Sequence, residues 1–474
     1  MTPASFLERR RRMSARLALY GSLALVAGAA ALLVFWLGRP LRMRAYETAV
    51  LEADFPSLPE VQLLTGYVQI DTSEATGDEI AGARFLAGKL EEAGIPARIE
   101  VIGGRHANLY ALLEGADPRP LVLHNHIDVE SVKPEEWIFP PFSAHIKLPF
   151  MYGRGTFDMK SVAIAQLMAM IDLKKSGKPL RRSVLFLATS SEERGSRLGV
   201  RWILRRRPKL VRSFWAVLTE GGIVEVRARD DIKYWGTEVV QKRFADLVVC
   251  SGDRERLEDL RRTLIERGFT ETDLKIVPEV RTLLEGYAPT RDREDYRELL
   301  ENPDATIADV RAFRKLPNYL KSMFRNEAVP FNVEEAPGGG YELMIKIHLL
   351  PGQKLEGVID ELVPRWMTWG MPVALDEPPS ALRGSPLDHP AFQGIQEVIE
   401  ERYPGTPSGP WFLPWSATDS RFFRTAGVPS YGFSPFVIMN TETLRVDKSN
   451  ERFSLPSFVE GVELYREVVR RLVL

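Results

Sequence analysis

The sequence predicts a layered α/β protein. A large domain on a mostly parallel sheet carries a smaller, inserted α+β domain, and one membrane-crossing helix precedes both. Three observations lead there. Apolar, β-rich runs alternate with segments of helical period between residues 61 and 222. From about 240 to 378 that alternation gives way to a charged, mostly helical stretch followed by strand, helix and strand. Residues 17–38, LALYGSLALVAGAAALLVFWLG, hold no charge over the length of about 20 residues that a helix needs to cross a bilayer.

With 474 residues the chain exceeds one ordinary core, and its 45% apolar and 27% charged composition is that of a globular protein. The net charge of −1 provides no basic field for nucleic acid, and Arg205, Arg206 and Arg207 read as a solvated helix end. Cys250 is the single cysteine, so an intrachain disulfide and a thiolate-rich zinc site are both excluded. Any metal must be held by carboxylates and by the six histidines, His106, His124, His126, His145, His348 and His389.

In chain order, residues 1–16 form a basic segment with Arg9, Arg10, Arg11, Arg12 and Arg16. Residues 17–38 read as an uncleaved signal anchor, with Tyr20 and Trp36 suited to the two interfaces. A cleaved signal peptide fits less well, because the small residues 27–31 lie inside the apolar run and the exit, FWLGRPLRMR, offers no small-x-small site. The leading arginines outweigh Arg39, Arg42 and Arg44, which places the N-terminus in the cytoplasm and the bulk of the chain on the periplasmic or extracellular side. Residues 39–239 would form the first part of the large domain. They contain a helix at 78–94, strands at 97–102, 107–114 and 120–126, a helix at 161–177, and strands at 183–190 and 213–222. Residues 240–378 would be the inserted domain, with a strand at 244–252, a helix at 254–268, helical segments over 269–338, a strand at 341–352, a helix at 354–370 despite Pro364, and a strand at 371–378. Residues 379–474 return to the large domain with a helix at 389–402, a Pro/Gly/Trp-rich loop at 404–415 and a last helix at 455–474.

Polar residues collect where these strands end, which is where parallel sheets keep their chemistry. The run LVLHNHIDVE (121–130) closes on His124, His126 and Asp128. YGRGTFDMK (152–160) places Asp158 just ahead of a helix, where an N-cap is the ordinary explanation. SSEERGS (190–196) sets Glu192 beside Glu193, and LTEGG (218–222) adds Glu220. So many carboxylates raise one another's pKa if left bare. A pair of divalent cations, with one carboxylate bridging, removes that conflict.

The series H-x-D, G-R-G-x-x-D-M-K, E-E-x-G-S and E-G-G resembles the co-catalytic zinc exopeptidases, the family of aminoacylase-1, acetylornithine deacetylase, glutamate carboxypeptidase and carboxypeptidase S. VQIDTSEATGDE (68–79), EEWIFPPFS (135–143), HLLPG (348–352) and TDSRFFRTAGVPSYGFSP (418–435) extend the resemblance over about 61–474. It is strongest to the carboxypeptidase S branch, which includes membrane-anchored members and N-acyl amino acid hydrolases. The resemblance implies a di-metal hydrolase domain with an inserted lid. His126 and Glu220 would bind one cation, Glu193 the other, and Asp158 both. Glu192 would be the general base, and Asp128 would hydrogen-bond His126 to fix its tautomer. His124 has no role in the family and reads as structural.

Three positions depart from the pattern. The family's last ligand, a His three residues before an N-E-R-like motif, is Asp447 in TLRVDKSNERF (443–453). A carboxylate can ligate zinc and suits a harder metal such as manganese better than imidazole does. The lid's G-H-S-S-like segment reads VVCSGDRERL (248–257), without its His. The family's N-x-R, which helps hold the substrate carboxylate, reads Lys346-Ile347-His348, making His348 the candidate substrate contact. The expected cofactors are two divalent ions, zinc first, with manganese or cobalt as alternatives. The expected substrate is a peptide or an N-acyl amino acid, the membrane and a second copy in a homodimer are the candidate partners, and nucleic acid is not one. The competing expectation is a non-catalytic, enzyme-derived binding or scaffold protein.

Overall fold

The computed structural model describes residues 54–474, apart from 229–230, 268–273, 288–293, 317 and 377–382. The span expected at 17–38 and the basic segment before it lie outside the described residues. Among the described residues no helix is long and apolar enough to cross a membrane. The chain divides into Met1–Asp54 and Phe55–Leu474, and the second unit holds every described helix and strand.

Helices cover both faces of its large sheet: the short Val200–Arg206, Pro208–Arg212 and Ser420–Thr425 pack on Val122, Leu185 and Val217, and five others build the rest of the layer. Helix α1 (Pro59–Val68) buries Val61, Leu64, Tyr67 and Val68. In α2 (Glu79–Glu92), Asp78 caps the first turn by accepting the Ala81 N–H, and Ala83, Leu86, Ala87 and Leu90 make one buried stripe. Helix α3 (Lys160–Ser176) is buried over most of its surface and stops at Gly177, whose φ of +63° suits glycine. Helix α4 (Pro390–Arg402) and helix α5 (Leu455–Val473, capped by Ser454) close the fold.

The sheet has nine strands: β1 (Ala97–Gly103), β2 (His106–Leu113), β3 (Asp117–His126), β4 (Arg182–Thr189), β5 (Ala216–Thr219), β6 (Ile223–Ala228), β7 (Asp231–Gln241), β8 (Ser408–Leu413) and β9 (Ser430–Gly432). Their order is β1-β2-β4-β3-β5-β9-β7-β8, with β6 on β7. The centre, β4-β3-β5-β9, runs parallel, while β1-β2-β4 and the β9-β7 and β6-β7 pairs are antiparallel. Central parallel strands are covered on both faces, and so read as unbroken apolar runs. On β3, Val122 packs with Phe422 and Phe423, and His124 meets Phe423 edge-on. Asn125, on the opposite face, donates to Gln166 of α3, which in turn donates to Tyr465 of α5.

A second, four-stranded antiparallel sheet orders Glu327–Glu335, Tyr341–Leu349, Arg243–Ser251 and Val373–Asp376. The helix Arg254–Arg267 lays Leu257, Leu260 and Leu264 on its Leu247, Val249, Leu343, Ile345 and Ile347. A third, small sheet joins His145–Lys147, Phe150–Tyr152 and Arg452–Ser454.

Three elements differ from expectation. The helix expected at 354–370 is a 3-10 turn at Leu355–Gly357 and one helical turn at Ile359–Leu362, because Pro364 lacks the N–H that a further turn needs. The loop expected at 404–415 contains β8, whose Trp411 and Phe412 are buried and which pairs in parallel with β7. Within the helical stretch expected over 269–338, Glu327–Glu335 is an edge strand, its alternation broken by a register shift between Pro330 and Val333.

Candidate metal centre

The parallel strands deliver the site. Leu123 of β3 is level with Phe186 of β4 and Leu218 of β5, so the three strands end together. His126 closes β3, Glu192 and Glu193 follow β4, Glu220 follows β5, and Asp158 stands just before α3. His126 Nε2 lies 3.1 Å from Asp158 Oδ1 and 3.7 Å from Glu220 Oε2. One ligand atom from each of these three residues falls within 4.8 Å of the others.

His126 Nδ1 is 2.8 Å from the main-chain carbonyl of Asp128, which commits its proton there and leaves Nε2 facing the acids. Asp128 thus acts on His126 mainly through its backbone; its carboxylate Oδ1 is 3.7 Å from Nδ1. That carboxylate has other work, accepting the N–H groups of Glu192 and Glu193 at 3.0 Å each. One buried side chain therefore joins the β3 end to the β4 turn.

The electrostatics call for positive charge. Burial and the charges of Glu220 and Asp419 push the Glu192 carboxyl well up. Burial, Asp158 and Asp447 do the same to Glu193, whose Oε1 is buried without a hydrogen-bond partner. Glu220 rises to about 8 through burial and Asp158. At Asp158 burial works the same way, but the hydrogen bond and charge of His126 outweigh it and hold the carboxyl below its usual range. His126 responds in kind: burial disfavours its cation, yet Glu220 and Asp158 raise it well above the ordinary histidine range. Crowded carboxylates beside a preset Nε2, with the Glu193 Oε1 left buried and without a partner, are the donor set a divalent cation requires.

Asp447 joins through the fold rather than through a strand. Its side chain is 36% exposed, and its φ of +57° is left-handed. Partial burial of the carboxyl, with Asp158 and Glu451 nearby, pushes it to about 8. Arg154 donates to its carbonyl at 3.1 Å and stands 3.7 Å from its Oδ1. The same guanidinium pairs with buried Glu451 at 2.7 Å, and Glu451 accepts the Phe157 N–H at 2.8 Å. Arg154 and Glu451 therefore clamp the Asp158 turn to the Asp447 turn. Both lie inside motifs visible in the sequence, G-R-G and N-E-R, but nothing there pairs them.

His348 is elsewhere. It is buried in the smaller sheet against Phe244, 3.7 Å from Glu327, and is not among the grouped ligands. His124 bridges the hydroxyls of Thr219 and Thr189 at 2.8 and 3.0 Å, and burial pushes it down to about 3. Asp419, unassigned from sequence, is buried, accepts the Ser196 hydroxyl and adds to the charge on Glu192.

Residues 122–471 match the family model described as peptidase family M20/M25/M40. Aminoacylase-1 of Sus scrofa is 24% identical over 445 residues, covering 87% of this chain and 95% of that protein. The M20 family metallo-carboxypeptidase Sso-CP2 from Sulfolobus solfataricus superposes with a TM-score of 0.64 at 17% identity, over 87% of this chain and 99% of that one. The YXEP protein of Bacillus subtilis, a dinuclear metal-binding peptidase, does so at 0.52 and 9% identity, over 88% and 98%. The match takes in every strand end that carries the site, and the chain belongs to peptidase family M20/M25/M40 and is a hydrolase.

Proposed function

We propose that the protein is a membrane-anchored, two-metal amidohydrolase that cleaves a terminal peptide bond or the amide of an N-acyl amino acid. The observation that carries this is the convergence of His126, Asp158 and Glu220 within 4.8 Å, beside a buried, unpartnered Glu193 oxygen. In this reading His126 and Glu220 would hold one cation, Glu193 and Asp447 the other, and Asp158 would serve both. Zinc is the first candidate, with manganese favoured by the exchange of imidazole for Asp447. The cations supply Lewis acidity to a water and to the amide carbonyl.

The chain's own groups do the rest. Asp128, holding both adjacent amides, aims Glu192 across the site. Glu192 takes the proton from the attacking water and returns it to the leaving nitrogen. Arg421, whose charge reaches Glu192 and whose Nε lacks a hydrogen-bond partner, is the candidate to pair with a substrate carboxylate. The anchor at 17–38, with the catalytic unit on the non-cytoplasmic side, rests on the sequence. Glu192→Gln tests the chemistry: metal content should stay at the wild-type value while turnover of N-acyl amino acids falls on the order of 10²–10⁴-fold. Retained turnover removes Glu192 from this role.

A further inference from the structure

A polar cluster against the Glu192–Glu193 turn has no part in the chemistry assigned to the metal centre. Glu79, the first residue of α2, is 3% exposed. His106, the first residue of β2, sets Nδ1 3.0 Å from Glu79 Oε1, 3.2 Å from Ser190 Oγ and 3.4 Å from Ser191 Oγ. The two hydroxyls are 2.9 Å apart. If Nδ1 carries the ring's proton, the carboxylate, as the strongest acceptor, takes it, and the serines order around that pair. Two residues along β2, Asn108 accepts the Ser190 N–H at 3.0 Å and donates to the Leu198 carbonyl at 3.0 Å.

The turn needs holding. Ser191 sits at φ +59°, a region that residues with a side chain avoid. Its carbonyl accepts the Ser196 N–H at 2.6 Å, and the Glu192 carbonyl accepts the Gly195 N–H at 2.7 Å. Glu79 serves stability poorly: its Oε2 has no partner, and burial with the charge of Asp128 pushes its carboxyl to about 7. A site that needed only packing would hold an apolar side chain there at lower cost.

We propose that Glu79 and His106 are positioning residues, which through the hydroxyls of Ser190 and Ser191 fix the turn that aims Glu192 at the scissile amide and Glu193 at the second cation. This rests on the roles given to Glu192 and Glu193 under the proposed function. Neither Glu79 nor His106 touches the reacting atoms. Asp128 holds the amides of the turn, and the Glu79–His106 pair holds its hydroxyls.

The test uses the full chain with Glu79→Gln, His106→Ala and His106→Asn, beside Leu260→Ala, a destabilised control in the smaller sheet's core. Two readouts apply: hydrogen exchange of the Glu192 and Glu193 amides in the metal-free protein, and stepwise zinc titration. Glu79→Gln should speed exchange at those two amides about tenfold. It should also weaken the second zinc step about 10–100-fold and leave the first unchanged. His106→Asn, whose amide donates near the place of Nδ1, should recover part of what His106→Ala loses. Leu260→Ala should change neither readout. Wild-type exchange and zinc binding in Glu79→Gln overturn the proposal, as does an effect no larger than that of Leu260→Ala. A wild-type chain that takes fewer than two zinc ions sinks the functional reading instead, while the exchange readout still decides the positioning role.

Discussion

In the proposed two-metal reading, Asp447 is the residue on which the second cation depends. An imidazole would bring a neutral donor, whereas Asp447 adds a carboxylate to a site where Asp158, Glu193 and Glu220 already crowd one another. Asp447→His should therefore tighten zinc at the second site by about tenfold or more and raise its preference for zinc over manganese. Unchanged zinc and manganese affinities would show that Asp447 is not a ligand. Asp128 makes a different prediction. Asn would keep one acceptor but turn an NH2 toward a backbone N–H, so Asp128→Asn should cost about 1–3 kcal/mol of stability and misplace both glutamates. The measurement is the urea midpoint together with second-site metal affinity. His126, Asp158, Glu192, Glu193 and Glu220 are legible in the sequence because each sits at the end of an apolar run or the start of a helix. Arg154 with Glu451, and Glu79 with His106, are not, since each pair forms only when distant segments fold together.

Between the two larger sheets, the chain passes from β7 to Arg243–Ser251 through Lys242 alone, and a buried polar group holds that crossing. Lys242 Nζ donates to Glu327 at 2.7 Å and to Ser322 at 2.8 Å, while Arg325 donates to the other oxygen of Glu327 at 3.1 Å. Burial alone would raise the Glu327 carboxyl, but His348 and the Lys242 ammonium outweigh it and hold the carboxyl at about 2, against an unfolded value of 4.5. The folded state thus binds fewer protons, so the contribution is complete above about 4.5 and is lost as pH falls toward 2. Lys242, pushed down to about 8 by burial, titrates in a separate alkaline window. Glu327→Gln should flatten the acid fall in stability and, by leaving Lys242 buried without its counter-charge, cost about 3–5 kcal/mol near neutral pH. Urea midpoints at pH 7 and pH 3.5 check both effects, and parallel pH profiles for variant and wild type would refute them. At this scale the strong periodic segments, such as α2 and α3, are legible, and the misses have local causes. Pro364 stops an otherwise helical pattern, and β8 hides behind the turn residues that flank Trp411 and Phe412.

For the whole molecule, the alternation of strands and helices identifies the α/β architecture because central parallel strands leave a continuous apolar signature. The antiparallel flanks of the sheet are less legible, since β6 and β7 lie beside each other without a helix between them. The proposal of an anchor at 17–38 makes its own prediction: the full chain should stay with membranes through an alkaline wash, and deletion of residues 17–38 should release it. Release of the intact chain would contradict the anchor. The proposed hydrolase requires this carboxylate-rich site to hold two cations despite Asp447. Metal content of the full chain, purified without chelator and reloaded with zinc or manganese, decides whether it does. Two metal ions per chain is the predicted result; none, or a single ion that stays single after reloading, would contradict it.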